Sequence, residues 1–263
     1  MREYPKEFSM DSVVKFRVAL VDFIRETMKK KGFEKVVFGM SGGADSTLGA
    51  YLAVEALGPE NVTGIRMPYK SSSPESLEHA ALAADKLNID TMTIEITPMV
   101  DAYFVRFPDA NQVRRGNKMA RERMSILYDQ AHKSNALVMG TSNKTEVMLG
   151  YGTIFGDAAS AFNPLGAIYK TEVWMMEELM GVPEVIIAKE PSADLWVGQT
   201  DEEELGIDYL TADTILYHLI ENEKSDKDIE AMGIPAGKIE MVKRLIDSSG
   251  FKRRLPDVPV LER

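Results

Sequence analysis

The chain has no cysteine. That absence excludes disulfides, thiolate metal sites and a cysteine nucleophile, and it fits a cytoplasmic protein. No apolar run reaches the roughly eighteen residues that a membrane-spanning helix needs, so no membrane partner is expected. The opening residues, with Arg2, Glu3, Lys6 and Glu7 around Pro5, contain no apolar segment of the secretory kind, and no leader is expected there. Basic residues are in deficit, 31 against 41 acidic ones for a net charge of −10, which argues against general nucleic-acid binding. A chain this acidic must gather its positive side chains locally wherever it meets an anion. What is present is ordinary for a globular protein: 263 residues, 44% of them hydrophobic, enough to bury a core with room to spare. Without repeats, low-complexity segments or a dividing linker, residues 1–263 are expected to form a single domain.

One stretch organises the rest. Val36-Val37-Phe38 is an apolar, β-branched run that breaks into Gly39-Met40-Ser41-Gly42-Gly43-Ala44-Asp45-Ser46 and then into a helical pattern through Leu57. Strand, tight glycine loop and helix N-terminus together form a phosphate-binding geometry, because the first amides of the helix and its dipole meet the anion at one place. Ser41 and Ser46 add hydroxyls. Asp45 makes sense beside phosphate only as a ligand to a divalent cation, and Mg²⁺ prefers one or two carboxylates plus phosphate oxygens. No Gly-Lys-Ser/Thr follows the glycines, so this is not a Walker A loop. The plainer alternative is an ordinary glycine turn.

Residues 11–31 read as an amphipathic helix ended by Gly32. A second strand is expected at 61–67, a loop at 68–74, a helix at 75–87 and a third strand at 91–96. Alternating strands and helices at this spacing predict an α/β fold, a doubly wound parallel sheet with helices on both faces, whose ligand lies beyond the carboxyl ends of the strands. Residues 106–123 carry six basic side chains, and a helix is expected from Gly116 to about Lys133; at least one of the six should meet an anion. Another strand, 136–140, leads into Gly140-Thr141-Ser142-Asn143-Lys144-Thr145-Glu146, a second loop of small residues, hydroxyls and an acid. Glu146 is a candidate second magnesium ligand and Thr141 a candidate nucleotide contact, although Glu146 at a helix start is also a plain dipole acid. Residues 151–157 read as a pocket wall, Lys170 as preceding a helix at 171–180, and 190–204 as a long polar lid. Helices follow near 208–222, 226–232 and 236–248, then a second basic cluster at 251–256.

The motif Ser41-Gly42-Gly43-Ala44-Asp45-Ser46 resembles the pyrophosphate loop of the ATP pyrophosphatases. Taken with Ala120-Arg121-Glu122-Arg123-Met124, the 140–146 loop, Gly150-Tyr151-Gly152-Thr153, Gly156-Asp157, Tyr169-Lys170-Thr171 and Pro191-Ser192-Ala193-Asp194-Leu195, the chain resembles the ammonia-dependent NAD synthetases over most of its length. The resemblance implies an adenine nucleotide α-hydrolase-like fold and a two-step, ATP-dependent amidation of deamido-NAD with ammonia through an adenylated nicotinate. It further implies that Gly39, Met40, Ser41, Gly42, Gly43, Ala44, Asp45 and Ser46 hold the pyrophosphate, that Thr141, Lys170 and Ser192 contact ATP, that Arg121, Asp157 and Lys252 contact deamido-NAD, and that Asp45 and Glu146 bind Mg²⁺. A homodimer is implied in the same way.

Two positions depart from the family pattern. Many relatives carry a lysine before the aromatic-Gly-Asp segment and an acid after it, where this chain has Ile154 and Ala161. Glutamine-using relatives add a glutaminase domain with a cysteine nucleophile; this chain has neither, so ammonia is expected free or from another protein. Two other readings stay open on the residues alone: a different ATP pyrophosphatase ligase, such as one resembling GMP synthetase, and a non-catalytic nucleotide-binding module.

Overall fold

The computed structural model describes residues 2–196 and 198–261. In chain order the elements are α1 (Met10–Lys31), β1 (Lys35–Gly39), α2 (Ala44–Leu57), β2 (Val62–Arg66), α3 (Pro74–Leu87), β3 (Asp90–Thr93), α4 (Thr97–Phe104), α5 (Gln112–Ser134), β4 (Ala136–Val138), α6 (Lys144–Leu149), α7 (Lys170–Met180), α8 (Glu184–Ile187), α9 (Asp201–Leu205), α10 (Tyr209–Ile220), α11 (Asp226–Glu230) and α12 (Ala236–Ser248). Among the described residues no helix is long and apolar enough to cross a membrane.

The four strands form one parallel sheet in the order β3-β2-β1-β4. Successive strands step from β1 outward to β3, and the chain then returns to the other side of β1 to lay down β4. The order therefore reverses between β1 and β4, which is where a parallel sheet opens a crevice at its carboxyl ends. Register puts Val36 of β1 between Val62 and Leu137. Alternation along β1 sends Val36 and Phe38 to one face and Val37 to the other, because successive side chains leave a strand on opposite sides. Helices α1, α2, α3 and α7 cover the first face, and α4 and α5 cover the second. Burial on both faces explains why β1 is apolar without a break.

A third apolar cluster, outside the sheet, joins α10, α11 and α12 to Leu149, Tyr169 and Trp174. It anchors the C-terminal third against α6 and α7. Several boundaries differ from the sequence expectation. The helix expected from Gly116 begins at Gln112, because the Asn111 side chain caps it by accepting from the Arg114 amide at 2.9 Å. The third strand ends at Thr93. Pro98 at the start of α4 fits the first turn of a helix and not a continuing strand. Most of 190–204 is irregular as expected, but its end forms α9; Val197 lies outside the described residues.

Two features of this frame make checkable predictions. Gly42 sits at φ +79°, and a Cβ there would lie 2.0 Å from the Ser76 carbonyl oxygen and 2.9 Å from the Ala80 nitrogen. Both are backbone atoms of α3, so nothing flexible yields. Gly42→Ala is expected to cost roughly 2–4 kcal/mol, from positive-φ strain plus the clash. A denaturant midpoint unchanged from the parent would contradict this.

Glu177 on α7 is fully buried, and neither of its carboxyl oxygens has a hydrogen-bond partner among the described residues. Burial first, then the Asp45 carboxylate, push its pKa up to about 8. The unfolded chain ionises near 4.5, so the folded state holds this proton longer and loses stability as pH rises from about 5 through 8. Glu177→Gln cannot ionise. It should melt near the parent at pH 5 and higher at pH 8.5, by roughly 1–3 kcal/mol, or several degrees. A melting difference that does not change with pH would refute the assignment.

Candidate active site

The crevice between β1 and β4 opens into a cavity of about 560 Å³. Its floor is the loop from Gly39 to Ser46 and the N-terminus of α2. Gly43 occupies the cap position of α2, and no side chain caps the helix. The first helical hydrogen bond runs from the Thr47 amide to the Gly43 carbonyl at 3.1 Å. The amides of Ala44, Asp45 and Ser46 thus lie in the first turn, where a helix leaves its N–H groups without internal acceptors. The loop is braced internally: Ser41 and Ser46 hydroxyls meet at 3.0 Å, the Gly43 amide donates to Ser41 Oγ at 3.3 Å, and Ser46 Oγ donates to the Gly43 carbonyl at 3.1 Å.

Gly39, Met40, Ser41, Gly43, Ala44, Asp45 and Ser46 line the cavity, as do Thr141, Glu146, Asp157, Lys170, Ser192 and Lys252. Gly42 does not; it turns its α-carbon against α3 and shapes the loop from behind. Residues from six separate parts of the chain therefore meet at the one crevice that the topology provides.

The charged centre is Asp45. Its Oδ2 pairs with Lys170 Nζ, and its Oδ1 accepts from Asn143 Nδ2 at 2.8 Å. Lys170 begins α7 and is only 3% exposed. Burial works to lower its pKa, but Asp45, Glu146 and Asp201 outweigh burial and leave the ammonium raised. Glu146 closes a capping box at the start of α6: its Oε2 accepts from the Asn143 amide at 3.2 Å while Asn143 Oδ1 accepts from the Glu146 amide at 3.0 Å. Desolvation, then repulsion from Asp45, push the Glu146 carboxyl well above its ordinary range. Asp201, at the start of α9, accepts from the hydroxyls of Tyr151 at 2.9 Å and Tyr209 at 3.0 Å, and burial raises it too. Glu146 thus caps its helix, as the plainer reading has it, while its carboxyl feels both Asp45 and Lys170.

The residues at the rim are held by their own contacts. Lys252 donates to the carbonyls of Gly150 and Gly152, each at 2.8 Å, and so fastens the C-terminal cluster to the pocket wall. Asp157 accepts from the Thr153 amide at 2.8 Å. Ser192 caps no helix; its hydroxyl accepts from the Asp194 amide at 3.1 Å. Asp194, at φ +50°, latches the 190–204 segment to α3 by accepting from the Ser73 amide at 3.1 Å and from Ser76 Oγ at 3.0 Å. Leu195 and Trp196 close over Gly116, where an added Cβ would come within 2.9 Å of Leu195 Cδ1.

The basic segment behaves differently from the expectation for Arg121. That side chain is exposed and lies outside the cavity of this chain, its Nε donating to the Ile154 carbonyl at 3.2 Å. Arg123 borders the cavity instead, its Nε donating to the Met67 carbonyl at 2.9 Å. The signal was available, because residues two apart on a helix face nearly opposite ways. Arg123 shares the buried stripe of Gly116, Met119, Met124 and Leu127. Asn143, Asp201 and Lys189 were also missed. Lys189 lines the cavity and donates to Ser76 Oγ at 2.7 Å, and it carries no local signal that separates it from a surface lysine.

Comparison with known proteins agrees with this geometry. The NAD synthase family model matches residues 16–256. A relative from Fusobacterium nucleatum, named NH(3)-dependent NAD(+) synthetase, is 52% identical over 244 residues, covering 93% of this chain and 95% of its own. Among solved structures, an NH3-dependent NAD synthetase from Campylobacter jejuni superposes with a TM-score of 0.80 at 35% identity, covering 94% of this chain and 99% of its own. An NMN synthetase from Francisella tularensis superposes with a TM-score of 0.85 at 32% identity, covering 97% and 100%. The chain belongs to the NAD synthase family.

Proposed function

We propose that this chain joins ammonia to deamido-NAD at the cost of ATP, in the crevice between β1 and β4. The observation that carries the reading is the convergence of Asp45, Glu146 and Lys170 at the uncapped start of α2. The triphosphate of ATP would lie along residues 39–46, with amides of the first turn and the Lys170 ammonium facing its oxygens. Thr141 and Ser192, at the cavity wall, are placed to contact the same nucleotide.

Among the described residues no three of His, Asp and Glu converge to form a metal cage. Asp45 and Glu146 nevertheless suit Mg²⁺, which takes one or two carboxylates and completes its shell with phosphate oxygens and water. Three carboxylates around one ammonium leave excess negative charge in a desolvated place; burial first raises both Glu146 and Asp201, with repulsion from Asp45 adding to it. When bound, Mg²⁺ would neutralise that excess and the charge of the leaving pyrophosphate.

In the first step an oxygen of the nicotinate carboxylate bonds to the α-phosphorus of ATP as the bond to pyrophosphate breaks. Lys170 and the α2 amides hold the departing charge. In the second step the nitrogen of ammonia bonds to the activated carbonyl carbon, the bond to AMP breaks, and the nitrogen gives up a proton. Adenylation is needed because a free carboxylate has no tolerable leaving group. The chain's own contribution is positioning and fixed charge.

Asp157 and Lys252 at the rim, and Arg121 outside it, are the proposed deamido-NAD contacts. Arg121 donates to the carbonyl of Ile154, whose neighbour Phe155 is 63% exposed at φ +59°, and an apolar residue so displayed near a proposed substrate contact supports a second copy of the chain packing there. The work is proposed to take place in the cytoplasm, where ATP is supplied. The Francisella neighbour favours one further reading: with Ile154 and Ala161 in place of the family's lysine and acid, the substrate could be the corresponding mononucleotide.

The deciding assay supplies ATP, Mg²⁺ and ammonium with either deamido-NAD or nicotinate mononucleotide. NAD formed with one AMP per turnover supports the main reading, whereas amidation of the mononucleotide alone would replace it. ATP binding without turnover on either acceptor would leave only a nucleotide-binding module. Asp45→Asn should lower kcat by about a hundredfold or more. Removing one partner of a buried ion pair also costs stability, so the variant's folding is checked by its melting temperature before its rates are compared. Parental rates at saturating Mg²⁺ would remove Asp45 from the metal site.

A further inference from the structure

Glu146 and Lys170 reach the site from the first turns of two different helices, and something must hold those turns at a fixed separation. Glu146 is the third residue of α6 and Lys170 the first of α7. Their sequence neighbours, Thr145 and Thr171, point the other way, into the interior, and both are fully buried. The two threonines meet on one carboxylate, that of Asp213 in α10, which is itself fully buried. Asp213 Oδ1 accepts from Thr145 Oγ1. Asp213 Oδ2 accepts from both the Thr171 amide and Thr171 Oγ1, each at 2.8 Å. Thr145 Oγ1 in turn accepts from the Lys170 amide at 2.9 Å. One side chain from outside the sheet thus pins the residue after Lys170, the residue before Glu146 and, through Thr145, the backbone of Lys170 itself.

We propose that Asp213 is a positioning residue for the phosphate and metal site, setting the distance between Glu146 and Lys170 by fastening α6 and α7 to α10. The assignment rests on the reading of Asp45 and Glu146 as ligands to Mg²⁺. Asp213 touches neither of them and no part of the cavity, so it acts only through Thr145 and Thr171. Its carboxylate suits the task because three donors converge on it and an ionised carboxylate only accepts. An amide in its place offers two N–H groups, and at least one of them faces a donor. Groups behind first-contact ligands commonly change metal affinity or activity by about ten- to a hundredfold when removed.

The test compares Asp213→Asn and Thr145→Val with Ile229→Val, a conservative trim in the same C-terminal cluster that takes no part in this hydrogen-bond network. Two readouts are taken on the full-length protein: steady-state kinetics, and the Mg²⁺ concentration at which ATP raises the melting temperature half-maximally. Asp213→Asn and Thr145→Val should need about tenfold more Mg²⁺ and lose about tenfold or more in kcat, with KM for deamido-NAD within about twofold of the parent. Ile229→Val should lower the melting temperature with the Mg²⁺ midpoint unchanged. Folded variants with parental midpoint and kcat would overturn the proposal, as would the same midpoint shift in Ile229→Val. If Asp213→Asn does not fold, Thr145→Val decides in the same terms. A parent whose ATP response ignores Mg²⁺ would sink the metal reading and this proposal with it, whereas a Mg²⁺-dependent parent with unaffected variants sinks the proposal alone.

Discussion

The structure depends on a buried ammonium held among carboxylates. Lys170 is almost wholly out of solvent, paired with Asp45 and close enough to Glu146 and Asp201 to be influenced by both. Such a group is costly to bury and is tolerable only with its partners in place. Each partner comes from a different element: Asp45 from α2, Glu146 from α6, Asp201 from α9. Folding the chain is therefore the same act as assembling the site, since the lysine cannot be buried until those three elements have closed around it.

Topology explains where this happens. A parallel sheet whose strand order reverses beside β1 leaves one place where two loops diverge and a helix N-terminus is left uncovered. The chain fills that place with small residues and no cap. It then surrounds the place with rim groups fixed by backbone contacts: Lys252 on the pocket wall, Asp194 on α3, Leu195 and Trp196 over Gly116. The C-terminal helices, which add nothing to the sheet, contribute Asp213 beneath the site and Lys252 at its edge. Their apolar cluster against α6 and α7 is what makes those long-range contacts possible.

Much of this is legible in the sequence. Glycines after an apolar strand, followed by a helical pattern, mark the loop that turns into α2 at the crevice, and the repeated composition at 140–146 marks the opposing loop. The fold class followed from the alternation of elements. Legibility failed where meaning depends on distant partners. Nothing local in the sequence sets Asn143 apart until its side-chain amide is seen donating to Asp45. Asp201 sits in a run of acids that resembles a solvated surface, yet it is buried by Tyr151 and Tyr209. Asp213 and the two threonines lie 42 and 68 residues apart, and no periodicity links them. Arg121 and Arg123 are the instructive pair, because helical phase alone separates the exposed one from the one at the cavity.

The central claim is that Asp45 and Glu146, remote in sequence, share one cation over a triphosphate held by the amides at the start of α2. A crystal structure with a non-hydrolysable ATP analogue and Mn²⁺, read by anomalous scattering, tests it most directly. The account predicts a metal peak about 2.0–2.2 Å from an oxygen of each carboxylate, with the β- and γ-phosphates against residues 43–46. A metal bound elsewhere, or a triphosphate that avoids the α2 N-terminus, would contradict it.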